Sequence, residues 1–313
     1  MFTTVLPDSG NQQSTMESTV KIIYIAGSGR SGTTIMDRVL GTLDGVTSLN
    51  QIYPFGEPER RYCSCGDNVG ECPFWTEVMQ NSAMLPSDTG RLIELREKVD
   101  HTKYLPLLFT KAGRKLLNGN LQEYLDRLRD LYSAIAVASE GDILVDSSKV
   151  ASRALILSMI SEFEVYVVHM VRDARGVLFS WQKKKERKGG YLTGPGMGKT
   201  LRYWITDNIG AEMLSVQTPY TRVRYEDFAE CPRKVVAQIQ DAIPPISTKS
   251  LQFIDERSIN LGTVHSISGN PDRFHKGETT IRVDDQWKES LEPMKKMTTQ
   301  WIVYPLLRRY DYV

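Results

Sequence analysis

The sequence predicts an α/β fold, a central parallel sheet flanked by helices, and three observations carry that expectation. Short β-branched runs alternate with stretches of helical periodicity, the pattern of parallel crossover units covered on both faces. Each run ends in a cluster of glycine, hydroxyl or charged residues, at the carboxyl end of a strand, where ligands of such sheets sit. Apolar residues make up 41% of the 313 residues and charged residues 25%, enough for a core and enough for a wetted surface.

The first unit runs from Ile22 to Leu43. Lys21–Ala26 (KIIYIA) is a buried strand, GSGRSG is a turn, and Thr33–Asp44 is a helix with Ile35, Met36, Val39, Leu40 and Leu43 on one face. From Ser48 to Trp75 the chain is rich in turn residues, and its length suggests a functional excursion. Residues 89–99 and about 118–140 follow helical spacing. A second strand, Asp142–Val145, ends in DSSK; a third, Val165–Val171, ends in RDARG before a helix at Val177–Trp181; a fourth, Thr221–Arg224, ends in YEDF. Lys183–Lys199 is basic and glycine-rich, equally a solvated loop or a lid.

Residues 1–19 are expected to form a flexible tail and 20–313 a single domain. The amino terminus lacks the basic-then-apolar order of a signal peptide, and no apolar run reaches membrane-spanning length. A cytoplasmic protein with no membrane partner is expected. Lys plus Arg number 39 against 38 acids, so no global field draws in nucleic acid and any anion site must be local. Oligomeric state is not encoded legibly.

That local site is expected in the first loop. Gly27, Gly29 and Gly32 let successive N–H groups turn inward, and the following helix adds its positive end. Arg30 brings a fixed charge, and Ser31, Thr33 and Thr34 bring hydroxyls. The nucleotide P-loop pattern G-x-x-x-x-G-K-[ST] fits at Gly27 and Gly32 but finds Thr33 where its lysine belongs, which disfavours ATP. In the third unit, Arg172 stands at the strand end and Ser180 eight residues on, about two helical turns away. The pair could grip a second phosphate; the alternative is a salt bridge from Arg172 to Asp173 or another carboxylate.

GSGRSGTT together with RDARGVLFS resembles the 5′-phosphosulfate loop and the 3′-phosphate motif of sulfotransferases that use 3′-phosphoadenosine 5′-phosphosulfate (PAPS). VDSSK, VRYEDF, SGNPDRFHKG and CSCGDNVGECPFW resemble segments of bacterial and Golgi-type members, so the likeness runs from about Lys21 to the carboxyl terminus. The resemblance implies a P-loop-like sulfotransferase fold and transfer of a sulfuryl group to a hydroxyl or amine. It implies PAPS as donor, adenosine 3′,5′-bisphosphate as product and no metal. Gly29, Arg30, Ser31, Gly32, Thr33 and Thr34 would hold the 5′-phosphosulfate. Arg172 and Ser180 would hold the 3′-phosphate, with Arg273, Lys276 and Gly277 closing over it and Tyr225 near the adenine. Where cytosolic members place arginine directly before Lys-Gly, this chain has His275.

For catalysis, Arg30 and Lys149 would face charge on the leaving oxygen; Lys149 reads equally as an exposed helix-start lysine. Asp146 would cap that helix, orient Lys149 or, in a kinase, serve magnesium. Related enzymes carry a Gly-Glu pair after the first helix, which points to Glu57 as general base, or to a surface carboxylate. The acceptor is expected to be a small molecule or a carbohydrate. A P-loop kinase and a non-catalytic nucleotide-binding module are the alternatives.

His169, inside an apolar strand, is expected to be a hydrogen-bonded core residue. Cys63, Cys65 and Cys72 lack an obvious fourth ligand and paired C-x-x-C spacing, so packing or a loop disulfide is expected ahead of zinc.

Overall fold

The computed structural model describes residues 19–53, 55, 57, 62–83, 88–139, 141–183, 185–187, 190–192 and 194–313, with 185–187 and 190–192 described in backbone only. The expected tail, apart from residue 19, and Gly56 lie outside the described residues. Five strands form one parallel sheet: β1 (Val20–Ala26), β2 (Val46–Asn50), β3 (Ile143–Lys149), β4 (Phe163–Val171) and, after a short antiparallel pair β5 (Lys185–Arg187) and β6 (Gly190–Leu192), β7 (Tyr220–Arg224). Their spatial order is β2-β3-β1-β4-β7, so β1 lies in the centre. A second small hairpin pairs β8 (Ser258–Leu261) with β9 (Gly277–Thr280). This is the expected α/β class, a central parallel sheet flanked by helices.

The centre of the sheet follows from the sequence of β1. Its side chains alternate between faces: Ile22 and Tyr24 join the core under the helices Thr89–Val99, Asn118–Ala138 and Ala151–Leu157. Ile23 and Ile25 join the opposite core, built with the Thr33–Leu40 and Pro232–Ala242 helices. Ile22 through Ala26 are all fully buried, and each large apolar side chain so buried contributes about 1.5–3 kcal/mol. A strand dry on both faces has to be continuously apolar. A third cluster, around Val177, Trp204 and Leu307, closes the carboxyl-terminal side.

Several boundaries differ from expectation. β2 occupies residues expected to begin the turn-rich excursion; its polar Thr47, Ser48 and Asn50 gave no apolar run, yet an edge strand can pair through its backbone alone. β3 continues through DSSK to Lys149. The first helix ends at Leu40: the Thr42 and Leu43 N–H groups turn to the Val39 and Leu40 carbonyls, and Gly41 packs against Ser48, where an added Cβ would lie 2.4 Å from the serine Cβ. No helix among the described residues is long and apolar enough to cross a membrane.

Candidate functional site

The loops after β1, β3 and β4 converge on a cleft of about 910 Å³ at the carboxyl end of the sheet. In the first loop, Gly27 has φ +127° and touches the Met170 carbonyl, where a Cβ would sit 2.3 Å from the oxygen. Gly32 has φ +82° and abuts the Tyr225 ring, where an added Cβ would lie 2.5 Å from a ring carbon. Arg30 takes φ +70°, and Lys149, at the neighbouring strand end, takes φ +75°. Left-handed backbone is costly for side chains of this kind and tends to cluster where function demands it.

Gly29, Arg30, Gly32, Thr33, Thr34, Lys149, Arg172, Ser180, Tyr225 and Arg273 all line this one cleft. Ser31 is fully buried in the loop beneath it. Lys276 is exposed, and Gly277 opens β9; neither forms part of the lining. Glu57 also lies outside the lining, in an ion pair with Arg96 at 2.9 Å. Arg96 in turn donates to the Tyr53 carbonyl, and Tyr53 donates through its hydroxyl to the Asp100 carbonyl at 2.6 Å.

The cleft is cationic although the chain is nearly neutral. Seven lysine and arginine side chains line it against two aspartates, Asp272 and Asp284. Arg30 stacks on Trp181, 4.6 Å from the ring centroid. Burial pushes its proton affinity down, Asp272 pulls it up and Arg172 lowers it. Arg172 crosses the site: Nη1 donates to the Arg30 carbonyl at 3.0 Å, Nη2 to Asp284, and the guanidinium lies over Tyr225. The carboxylate partner of Arg172 is thus Asp284, while Asp173 caps its helix and pairs with Arg175. Arg30 Nε, Ser31 Oγ and Arg172 Nε are buried with no hydrogen-bond partner. Unmet donors are costly in a dry site, so this set fits an anion with several acceptor oxygens.

Lys149 rests its ammonium on the Ser147 carbonyl at 3.2 Å. Burial lowers its pKa to about 8, against the pull of Asp37, Asp146 and Asp207 and with a further push from Arg30. Asp146 does not serve that helix as a cap. It is fully buried, Oδ1 accepts from Ser148 N at 2.7 Å and Oδ2 from the Tyr132 hydroxyl, so it fixes the DSSK turn that presents Lys149.

Four residues of consequence carry no signal in the sequence pattern. Arg38 reaches from the first helix to the Asp272, His275 and Gly262 carbonyls and ties down the carboxyl-terminal wall. Trp181 and Asp284 partner the two arginines. Asp207, on the Met197–Met213 helix, shares the field of Lys149; burial raises its pKa to about 7 and Lys149 draws it back. Each looks like an ordinary helix-face or loop residue until the chain is folded. His169 is a neutral core residue, as expected: Nε2 faces Asn208 Oδ1 at 2.9 Å, Nδ1 faces the Tyr220 hydroxyl, and burial lowers its pKa to about 4.

Of the two expectations, packing or a loop disulfide, the disulfide is not formed: Cys63, Cys65 and Cys72 are free thiols, with Cys63 and Cys72 buried. They meet one another and a fourth group, His265, which supplies the fourth ligand that the sequence did not show.

The fold and cleft define a parallel α/β protein with a cationic cleft at its strand ends. Among solved structures it is similar to the sulfotransferase domain of the Synechococcus olefin synthase, at TM-score 0.48 and 17% identity over 94% of this chain and 98% of that one. It is also similar to the sulfotransferase domain of the curacin biosynthetic pathway, at 0.46 and 18% over 91% and 97%. Sulfotransferase STF9 of Mycobacterium avium aligns at 0.40 and 12% over 72% and 64%. No family model and no curated protein matches the sequence. At this level of likeness, function has to be read from the side chains themselves.

Proposed function

We propose that the chain transfers a sulfuryl group from PAPS to a hydroxyl or amine of a small-molecule or carbohydrate acceptor, leaving adenosine 3′,5′-bisphosphate. One observation carries the reading: the two segments that resemble donor signatures share a single cationic cleft, whose lining residues Arg30, Arg38 and Arg172 each keep a buried Nε without a hydrogen-bond partner, with Ser31 Oγ likewise unpartnered beneath. Bound there, PAPS would supply an activated sulfuryl group on a phosphate leaving group.

The residues of the chain have distinct parts in this reading. Gly29 to Thr34 surround the 5′-phosphosulfate with N–H groups, hydroxyls and the Arg30 charge. Arg172 and Ser180 take the 3′-phosphate, with Asp284 as the carboxylate that Arg172 relinquishes or shares. Tyr225 walls the cleft between Gly32 and Arg172, beside the adenine. Arg273, Lys276 and Gly277 belong to the loop that closes the site, in which Arg273 donates to the Ser266 carbonyl at 2.6 Å. Lys149 and Arg30 oppose negative charge as it gathers on the leaving oxygen. Glu57 is the base suggested by the Gly-Glu pair; Asp207, outside the cleft lining but in the field of Lys149 and with its pKa raised by burial to about 7, is the second candidate.

Thermal shift tests the donor. Adenosine 3′,5′-bisphosphate at about one hundred times its Kd is expected to raise Tm by about 5 °C or more, with no comparable effect of ATP plus magnesium. Stabilisation by ATP–magnesium and none by the bisphosphate would overturn the reading.

A further inference from the structure

We propose that Cys63, Cys65, Cys72 and His265 form a Cys3His zinc site that joins the excursion after β2 to the carboxyl-terminal wall of the cleft. Cys72 Sγ lies 3.7 Å from Cys65 Sγ and 3.7 Å from Cys63 Sγ. His265 Nδ1 lies 3.2 Å from Cys72 Sγ and 3.7 Å from Cys63 Sγ. All four donor atoms fall within 4.8 Å of one another. A tetrahedron with Zn–S of about 2.3 Å and Zn–N of about 2.0 Å has S–S edges of about 3.8 Å and S–N edges of about 3.5 Å. The measured separations straddle those edges and are far too long for a disulfide, whose sulfurs sit about 2.0 Å apart.

The ligands are held by contacts that do not involve the thiols. Phe74 stacks on the His265 ring at 5.0 Å and 13°, and Trp75 Nε1 donates to the His265 carbonyl at 2.9 Å. Ser64 Oγ donates to the Val264 carbonyl and its N–H to the Ser266 carbonyl, clamping the two segments beside the cluster. Gly66, at φ +117°, lets the chain reverse so that the Cys63 N–H reaches the Asp67 carbonyl and Cys65 turns back toward Cys72. Cys63 and Cys72 are fully buried, out of reach of competing water.

Soft thiolates with one imidazole in tetrahedral array select zinc over the hard cations. Binding converts three thiols to thiolates, releases their three protons to solvent and uses the lone pair of neutral His265 Nδ1. Four protein ligands leave no open position, so the ion is structural. It closes a link between residues 202 positions apart, Cys63 and His265, just ahead of the Ser268–Phe274 wall of the cleft.

The test is metal analysis of the full chain purified without chelator. About one zinc per chain is expected, falling below about 0.2 in Cys65→Ser and in His265→Ala. Because either variant could fold poorly, wild-type protein provides a second measurement. In the zinc form only exposed Cys231 should react quickly with a thiol reagent, and chelation should expose three more thiols and lower Tm by about 10 °C or more. Cobalt added to the stripped, reduced chain should then give tetrahedral d–d and thiolate charge-transfer absorption. Wild-type zinc content in both variants, four fast thiols before chelation, or a silent cobalt titration would each overturn the site.

Discussion

Arg172 lies with its guanidinium 4.4 Å from the Tyr225 ring centroid while its Nη2 holds the Asp284 carboxylate at 3.1 Å. The same carboxylate takes the Lys183 ammonium at 3.0 Å. Burial works to protonate Asp284, but Lys183 and Arg172 together hold its pKa below the usual carboxylate range. An internal anion therefore occupies part of the charge that the proposed 3′-phosphate needs. Asp284→Asn should strengthen adenosine 3′,5′-bisphosphate binding by about tenfold at low ionic strength, with the gain shrinking as salt rises. Weaker binding in calorimetry would instead make Asp284 a support that orients Arg172.

Removing either arginine should have the opposite effect. Arg30→Ala and Arg172→Ala each delete charge-assisted hydrogen bonds and should weaken the bisphosphate about a hundredfold. Calorimetry on folded variants, with Tm as the control, measures this. Normal binding by Arg172→Ala would remove the 3′-phosphate from its assigned place.

Lys149 gives the site a pH dependence of defined sign. Its pKa of about 8 in the folded chain lies below the ordinary 10.5. The unfolded chain therefore holds more protons between those values, and this group makes stability rise with pH across that window. Anion affinity moves the other way, falling as the ammonium is lost above pH 8 by up to about tenfold per unit. Lys149→Arg should flatten the affinity profile. A wild-type profile already flat from pH 7 to 10 would remove Lys149 from the donor site.

The two candidate bases are separable. If Asp207 takes the acceptor proton, kcat should rise through about pH 7 and Asp207→Asn should lower it by about a hundredfold. In that case Glu57→Gln should act chiefly through the Arg96 ion pair and lower Tm. A hundredfold loss of kcat in Glu57→Gln with an unchanged pH profile for Asp207→Asn would assign the base to Glu57.

Much of the frame was legible because it rests on local signals. KIIYIA is continuously apolar, and a strand dry on both faces must be so; GSGRSG follows it with the glycines that a left-handed turn requires. The strand-end rule then brought Arg30, Lys149 and Arg172 together without knowledge of their contacts. What could not be read was non-local. β2 forms through backbone pairing to β3, which leaves no hydropathic trace in VTSLN. His265 meets the cysteines across about two hundred residues, and Asp284 reaches Arg172 from a polar segment without periodicity. Asp207 has an unusual proton affinity only because folding buries it, against the opposing pull of Lys149.

The hydrogen bond from Arg172 Nη1 to the Arg30 carbonyl spans 142 positions of sequence. Arg30 sits in a left-handed conformation that a side chain disfavours, and Arg172 braces the peptide that follows it. A designer who grafts GSGRSG onto another parallel sheet would carry over the cradle without its brace. The smallest portable unit of this protein is therefore two distant segments, and recombination that separates them breaks the site even where each half is intact.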